Sequence, residues 1–388
     1  VLKGVLSHEE LLRQLMIKEL REVIMLCPSE RKTEIQHSIS EIVIDKQEMI
    51  VNERVMLSIT KGGYIKRTSL RSYNASDNAL PTIKEEDELL GYKEVDTKDH
   101  LVVITDNGNY MDMPIYEIGE FKWKDLGEHI STYSNLNGSE KILAAYIVKD
   151  YKTDAWLITA TKGGMVKRTH FSALEPQRVK RLIALMNLKK NDKLIDCKLI
   201  YRGEEVLIAS KEGNVVRYAM NQIPKTSLKA QGVKAMNLSK GDEVAALAIA
   251  NPKSLNIAVF SEEGTSKRVK LNDISLMNRP VKGDSLYKKV KSHPSYVKYL
   301  LCTQTYDEIN FLGDDKRVVV AKDITLMDKT STLSNSGKLI GKFYLLRGIE
   351  EVKLVDIIEE INDESNSDDI SYDENKSSNE VEFFTLNV

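Results

Sequence analysis

Short apolar runs recur along the chain between polar turns: VMLSI (55–59), LVVIT (101–105), AWLITA (155–160), EVLIAS (205–210) and NIAVF (256–260). Each is five or six residues long and rich in Val, Ile or Thr, with a glycine turn and a second run behind it. That pattern predicts a strand–turn–strand hairpin. Aligned by glycine, the turns read KGGYIKR (61–67), NGNYMDM (107–113), KGGMVKR (162–168), EGNVVRY (212–218), EGTSKRV (263–269) and LGDDKRV (312–318). The markers Gly63, Gly108, Gly164, Gly213, Gly264 and Gly313 stand 45, 56, 49, 51 and 49 residues apart, a six-fold internal repeat. A second element keeps the register: Asp87, Asp192 and Asp242 each close a polar turn, 24, 28 and 29 residues after their glycines. A unit of about 50 residues holding two pairs of strands has the length of a four-stranded propeller blade.

The β-rich pattern begins near Glu41. Ahead of it, Leu11, Leu12, Leu15, Met16, Leu20, Val23, Ile24 and Cys27 recur at helical spacing until Pro28, and Ser7 with Glu10 reads as a capping box. A lone helix cannot bury such a stripe on itself, so it is expected to pack on the body or on a part of the protein beyond this chain.

The 388 residues are 41% hydrophobic and 29% charged, the balance of a soluble globular protein. No apolar run approaches the roughly 18–20 residues of a membrane span, no secretory leader opens the chain, and a cytoplasmic location with no membrane partner is expected. Cys27, Cys197 and Cys302 show no metal-binding spacing and are expected to be small buried hydrophobes. His8, His37, His100, His129, His170 and His293 lie far apart, and no nucleophile elbow or Walker loop is present. The turn glycines run from strand to strand, whereas a phosphate cradle runs from strand into helix, so they are hairpin glycines. Arg217-Tyr218 falls inside the fourth repeat and reads as strand. Neither catalytic residues nor a metal site is expected.

Charge changes the picture. Of 56 basic and 58 acidic residues, 7 and 9 fall in residues 1–50 and 1 and 11 after 355, leaving 48 and 38 between. A basic body thus carries an acidic tail. Four turns set a Lys-Arg pair three and four residues past the glycine: Lys66-Arg67, Lys167-Arg168, Lys267-Arg268 and Lys316-Arg317. Arg71, Arg178, Lys180, Arg181, Lys225, Lys229, Lys234, Arg279 and Lys282 follow in the loops, with Lys288, Lys289 and Lys291 beyond. Recurrence in register predicts one basic edge suited to duplex DNA, neutralising phosphates without reading bases. For any single pair the plain alternative is a strand residue facing water.

Four segments carry a resemblance: TKGGYIKRTSLRSYNAS (60–76), FKWKDLGEHIS (121–131), TKGGMVKRT (161–169) and LKAQGVKAMNLSKGD (228–242). From about residue 10 to 355 the chain resembles the C-terminal domain of the A subunit of bacterial type IIA topoisomerases. The resemblance implies an all-β fold, a six-bladed β-pinwheel of four-stranded antiparallel blades that exchange strands, with DNA bent around its rim. It divides the chain into a helical segment (1–38) from the end of the cleavage core's coiled coil, the pinwheel (39–355) and a disordered acidic tail (356–388). Gyrase members carry a basic, glycine-rich box after the first Lys-Arg-Thr. Here that loop reads SYNASDNAL (72–80), which is similar to the topoisomerase IV branch, as are WKDLG (123–127) and QGVK (231–234). Asp112 stands where a Lys is expected, which leaves Lys122 and Lys124 as the second blade's contacts.

The resemblance further implies a part of an ATP-dependent isomerase that decatenates and relaxes DNA near the nucleoid. Its partners would be the ATPase B subunit and the cleavage core of its own polypeptide, with ATP and Mg²⁺ used by the holoenzyme and no cofactor in this chain. A gyrase A wrapping domain and a propeller-like interaction scaffold are the alternatives. The tail is expected to shield part of the basic rim, the plain alternative being a solubilising tail with no contacts.

Overall fold

The computed structural model describes residues 4, 7–28, 50–77, 79–134, 136, 140–176, 180–287, 294–304, 307–313, 318–322, 337–341 and 343–355. The chain divides into two compact units between Ile50 and Val51, and the 38/39 boundary read from the sequence lies outside the described residues. In the first unit the helix α1 spans Glu9–Leu26, and none of its residues is buried. His8 is its N-cap and makes no side-chain cap bond, while the Ser7 hydroxyl donates to the Gly4 carbonyl, so the expected capping box is not formed. Cys27 is exposed, against expectation, whereas Cys197 is buried and Cys302 partly so. Among the described residues no helix is long and apolar enough to cross a membrane. The acidic tail lies outside the described residues.

The second unit is built from repeated sheets. Blade 1 joins β1 (Arg54–Thr60) and β2 (Tyr64–Ser69) through the first glycine turn, then passes through a short helix α2 (Leu70–Asn74) to an inner strand β3 (Leu89–Asp96). Blade 2 holds β4 (His100–Thr105) and β5 (Asn109–Pro114); a two-residue strand β6 (Glu128–His129) precedes its inner strand β7 (Ile142–Val148). The same plan gives β8 (Trp156–Thr161), β9 (Met165–His170), β10 (Ile183–Ala184) and β11 (Leu194–Ile200) in the third repeat. The fourth supplies β12 (Glu205–Ser210), β13 (Asn214–Ala219), β14 (Val233–Lys234) and β15 (Val244–Ala250), and the fifth β16 (Asn256–Ser261), β17 (Thr265–Lys270), β18 (Asp284–Ser285) and β19 (Val297–Thr303). A sixth sheet contains β20 (Glu308–Gly313), β21 (Val318–Lys322) and β23 (Phe343–Leu345), with β22 (Lys338–Leu339) between them in sequence and β24 (Glu350–Glu351) after them.

The short strands pair one blade back. β6 completes the sheet of β2, β10 that of β5, β14 that of β9, β18 that of β13 and β22 that of β17. From blade 2 onward each loop leaving an outer strand therefore crosses to the preceding blade before the chain returns to its own inner strand. These exchanged strands form the outer edge of their sheets. β24 closes the inner edge of blade 2, parallel to β7.

Both faces of the sheets of blades 2 to 5 are covered by neighbouring blades, which explains the nearly unbroken apolar runs. In β4, Leu101 and Val103 pack with Val55, Leu57 and Ile59 of blade 1, while Val102 and Ile104 pack with Leu157 of blade 3. The alternation repeats with Trp156 and Ile158 against Val206 and Ile208, then Leu207 against Ile257 and Val259. Each such side chain, fully buried, stabilises the ring by about 1.5–3 kcal/mol relative to an exposed one. The five marker glycines from Gly63 to Gly264 have positive φ, as hairpin turns require. Asp87, Asp192 and Asp242 accept from the backbone N–H of Gly62, Gly163 and Glu212, so the repeated aspartate ties the inner-strand turn to the hairpin turn.

Candidate nucleic-acid interface

The Lys-Arg pairs lie on the outer strands β2, β9 and β17, but their lysines point inward: Lys66, Lys167 and Lys267 are all but fully buried. Lys66 Nζ donates to the Trp123 carbonyl at 2.6 Å and to that of Asp125, Lys167 Nζ to the Leu185 carbonyl and Lys267 Nζ to the Leu286 carbonyl. Lys66 lies 5.3 Å from the centre of the Trp123 ring and Lys267 4.5 Å from that of Tyr287. Burial pushes all three ammonium groups down to about 8. All the carbonyls belong to the crossing loops, next to β6, β10 and β18. These lysines hold the strand exchange together, which corrects the expectation that they face phosphates.

Arg67 clasps the same loop as Lys66, whereas Arg168 meets the loop of the following repeat, where Thr226 N–H donates to its carbonyl at 2.9 Å; Arg217, in the arginine's register but in no Lys-Arg pair, does the equivalent on blade 4. Arg67 Nε donates to the Ile118 carbonyl at 2.6 Å, and its backbone brackets Gly119 and Phe121. Arg217 in β13 reaches the carbonyls of Leu271 and Ile274 at 2.9 and 3.1 Å and pairs with Glu205 at 2.6 Å. Arg168 and Arg268 are buried, Arg168 stacking 4.8 Å over Trp156. Arg67 is half-buried. Lys316 and Arg317 lie outside the described residues, as do Arg178, Lys288, Lys289 and Lys291.

The exposed cations are on the crossing loops and their flanks. Lys122 and Lys124 are exposed, and their loop packs on blade 1, where Phe121 N–H donates to Arg67 O and Trp123 N–H to Ser72 Oγ. They leave blade 2 in sequence but sit on blade 1 in space, a correction to the sequence reading. Arg71 in α2 is exposed on the same blade. Arg181 follows on the loop to blade 2, Lys225, Lys229 and Lys234 on that to blade 3, and Lys282 on that to blade 4; all are exposed. Lys180 is half-buried, paired with Glu117 at 2.5 Å, and Arg279 is half-buried with its Nε on the Gln222 carbonyl at 2.5 Å. Lys180 and Lys229 have φ of 59° and 66°, a left-handed backbone that costs a lysine of order 1 kcal/mol or more. Lys270, which the sequence reading passed over, is exposed at the end of β17 where a crossing loop begins. Its signal was its place one residue before the apolar start of that loop.

Blade 2 departs from this plan. Asp112, in the arginine's register, is buried and accepts from Tyr151 Oη and, at 2.9 Å, lies against His100 Nδ1. Burial is the largest single influence on His100 and works against its imidazolium, but the bond to Asp112 and the charges of Asp112, Asp99 and Glu117 together outweigh it and raise the group. The loop clasped here runs from Phe171 to Ile183, one residue shorter than its counterparts (Ile115 to Glu128, Met220 to Val233, Leu271 to Asp284), and has Leu182 where they have Gly127, Gly232 and Gly283. Among the described residues no three His, Cys, Asp or Glu side chains gather to hold a metal ion.

A ring of four-stranded antiparallel blades, each completed by a strand from the next, is a β-pinwheel of the propeller class. The family described as "DNA gyrase C-terminal domain, beta-propeller" matches residues 55–91, 99–149, 155–200, 204–251 and 256–290, and the chain belongs to it. It is 32% identical over 324 residues to the A subunit of DNA topoisomerase 4 from Staphylococcus epidermidis and equally so to that from Staphylococcus aureus strain MRSA252, covering 81% of this chain and 40% of each relative. The chain thus spans about two fifths of the relatives' length. It is similar to the crystal structure of the C-terminal domain of DNA topoisomerase IV, at 30% identity and TM-score 0.67, over 75% of this chain and 90% of that one. The structure of the DNA gyrase A C-terminal domain shares the fold, at 23% identity and TM-score 0.58, over 76% and 98%.

Proposed function

We propose that this chain binds and bends duplex DNA along its outer edge, as the C-terminal domain of a topoisomerase IV A subunit. The observation that carries this reading is the recurrence of exposed cations on successive crossing loops: Lys122 and Lys124, then Arg181, then Lys225 and Lys229, then Lys282. The loops are anchored by buried lysines and arginines, so their charges are held at fixed spacing, which favours a curved track of phosphates over base readout. Arg71 and Lys234 extend that track. In the holoenzyme an ATPase B subunit and the cleavage core of this polypeptide would perform strand passage with ATP and Mg²⁺ in the cytoplasm, at the chromosome, and this domain would present the bent duplex to them. The similarity to relatives that are A subunits of DNA topoisomerase 4 supports that assignment over a gyrase role.

The test compares DNA affinity of the parent and of a Lys122→Ala/Lys124→Ala/Lys225→Ala/Lys229→Ala variant by fluorescence anisotropy across salt concentrations. Loss of affinity on every sequence is expected, with the log–log salt slope shallower by about 0.9 for each phosphate contact removed. Unchanged slope and affinity would place the duplex elsewhere. Decatenation without negative supercoiling, on reconstitution with the remainder of the enzyme, checks the assignment to topoisomerase IV.

A further inference from the structure

The hairpin turns and inner-strand turns meet on one face of the ring, and successive blades are stitched there by a repeated backbone bond. Ile142 N–H donates to Lys61 O, Leu194 to Asp106 O, Val244 to Lys162 O and Val297 to Lys211 O, at 2.8–2.9 Å. The residue that accepts and the residue just before the one that donates therefore face each other at each junction. Between blades 2 and 3 they are Asp106 and Lys193, paired at 2.5 Å; between 3 and 4, Lys162 and Glu243 at 2.9 Å. Between 4 and 5, Lys211 stands 5.5 Å from the centre of the Tyr296 ring. Between blades 1 and 2 they are Lys61 and Lys141, two cations.

Lys61 turns back to Glu88 of its own blade at 2.5 Å, and Lys141 is exposed. Both line a cavity of about 310 Å³ at the centre of the ring, floored by apolar side chains such as Leu90, Ile142 and Leu247. Both also line a second cavity of about 220 Å³, where Lys84 adds a third cation over the Tyr64 ring. Glu86 and Asp87 line that cavity too, with the Asp87 Oδ1 taken up by two backbone N–H groups. Glu88 lines both cavities and neutralises Lys61, which leaves Lys141 and Lys84 as the cations whose repulsion an anion between them would relieve.

We infer that the blade 1–blade 2 junction is a phosphate site, in which Lys61 and Lys141 clamp the phosphate of a small soluble ligand where the next three junctions have an opposite charge or a ring. The inference is independent of the DNA-binding reading, since none of these residues lies on the crossing loops. Duplex backbone offers the same chemistry, and the experiment separates the two sources.

Pyrophosphate is titrated into the full chain by calorimetry and by thermal melting, at ionic strength held constant with sodium chloride. Saturable binding and a rise in Tm are expected. Lys141→Glu, which recreates the opposite-charge pair found between blades 3 and 4, is expected to weaken pyrophosphate binding at least about tenfold and to melt no lower than the parent without ligand; Lys141→Gln is expected to weaken it less. If a short duplex does not displace pyrophosphate, the site serves a soluble phosphate as inferred; displacement by the duplex overturns that source and gives the clamp to the DNA backbone. Absence of saturable binding, or equal binding by parent and Lys141→Glu, overturns the site itself.

Discussion

A lysine ammonium withdrawn from water is retained only where carbonyls or aromatic faces replace its hydration. Lys66, Lys167 and Lys267 find both kinds of replacement or the first of them, and still titrate near 8 because the exchange of water for protein is incomplete. Between that value and the free lysine value of 10.5 the folded state binds fewer protons than the unfolded one, so each lysine's contribution to stability rises with pH across the window. Lys167→Met takes the charged donor from the Leu185 carbonyl and leaves it only the Lys229 N–H at 3.1 Å. It is expected to be destabilised by about 1–3 kcal/mol at pH 9.5 and by less at pH 7, a widening that paired urea denaturation curves measure. Access decides reactivity as well: at pH 8 an acylating reagent is expected to label Lys122, Lys124, Lys225 and Lys229 well before the three buried lysines, as read by peptide mass spectrometry. Early labelling of Lys167 would contradict its burial.

At the scale of elements, the crossing loop is the unit that matters. It leaves an outer strand through a short 3₁₀ turn such as Ile115–Glu117 or Met220–Gln222, meets the arginine of the preceding blade, and adds a two-residue strand. Gly232 sits where that strand docks: a Cβ there would lie 2.3 Å from Val166 O, and its φ is +77°. Gly232→Ala is therefore expected to cost more than about 1 kcal/mol and clearly more than Gly241→Ala, whose φ is also positive but whose Cβ would meet nothing within 4 Å. Denaturant midpoints of the two variants rank them. The hairpins and their count were legible in the sequence because strand, glycine and aspartate recur in chain order. The Lys-Arg pairs were legible as a repeat but misread in role, since a strand lying at the edge of its hairpin reads as solvent-facing until a segment 63–74 residues later covers it. KGGMVKR shows its cations, while the Leu185 carbonyl that accepts from Lys167 belongs to a loop with no charge pattern of its own. QGVK stands out for its lysine, whereas the glycine beside it fixes the strand.

For the whole molecule, closure depends on the segment after the sixth sheet. Gly348 N–H donates to Leu90 O of blade 1, Arg347 binds Asp196 and the carbonyls of Leu143 and Cys197, and the Thr153 hydroxyl donates to Lys353 O at 2.8 Å. One stretch of chain thus touches blades 1, 2 and 3 at once. Arg347→Ala leaves Asp196 without its largest partner in a mostly covered setting and is expected to lower stability by about 3 kcal/mol. Thermal melting gives that loss, and limited proteolysis should show the inner strands cut sooner. Residues 343–355 do for the ring what no single blade does.

Because every described blade from the first to the fifth borrows its edge from the repeat that follows, the ribosome releases a blade's hairpin well before the piece that seals it. Blade 1 waits for residues 128–129, and blade 3 for residues 233–234. Maturation must then follow the direction of synthesis with a lag of one repeat, and a nascent chain halted after Ala250 has three sealed blades and an unsealed fourth. The same offset governs the gene. A deletion of one sequence repeat, such as residues 155–200, would remove β10, the edge of blade 2, along with the hairpin and inner strand of blade 3, and would free β14 from the strand it seals, to take the place of β10.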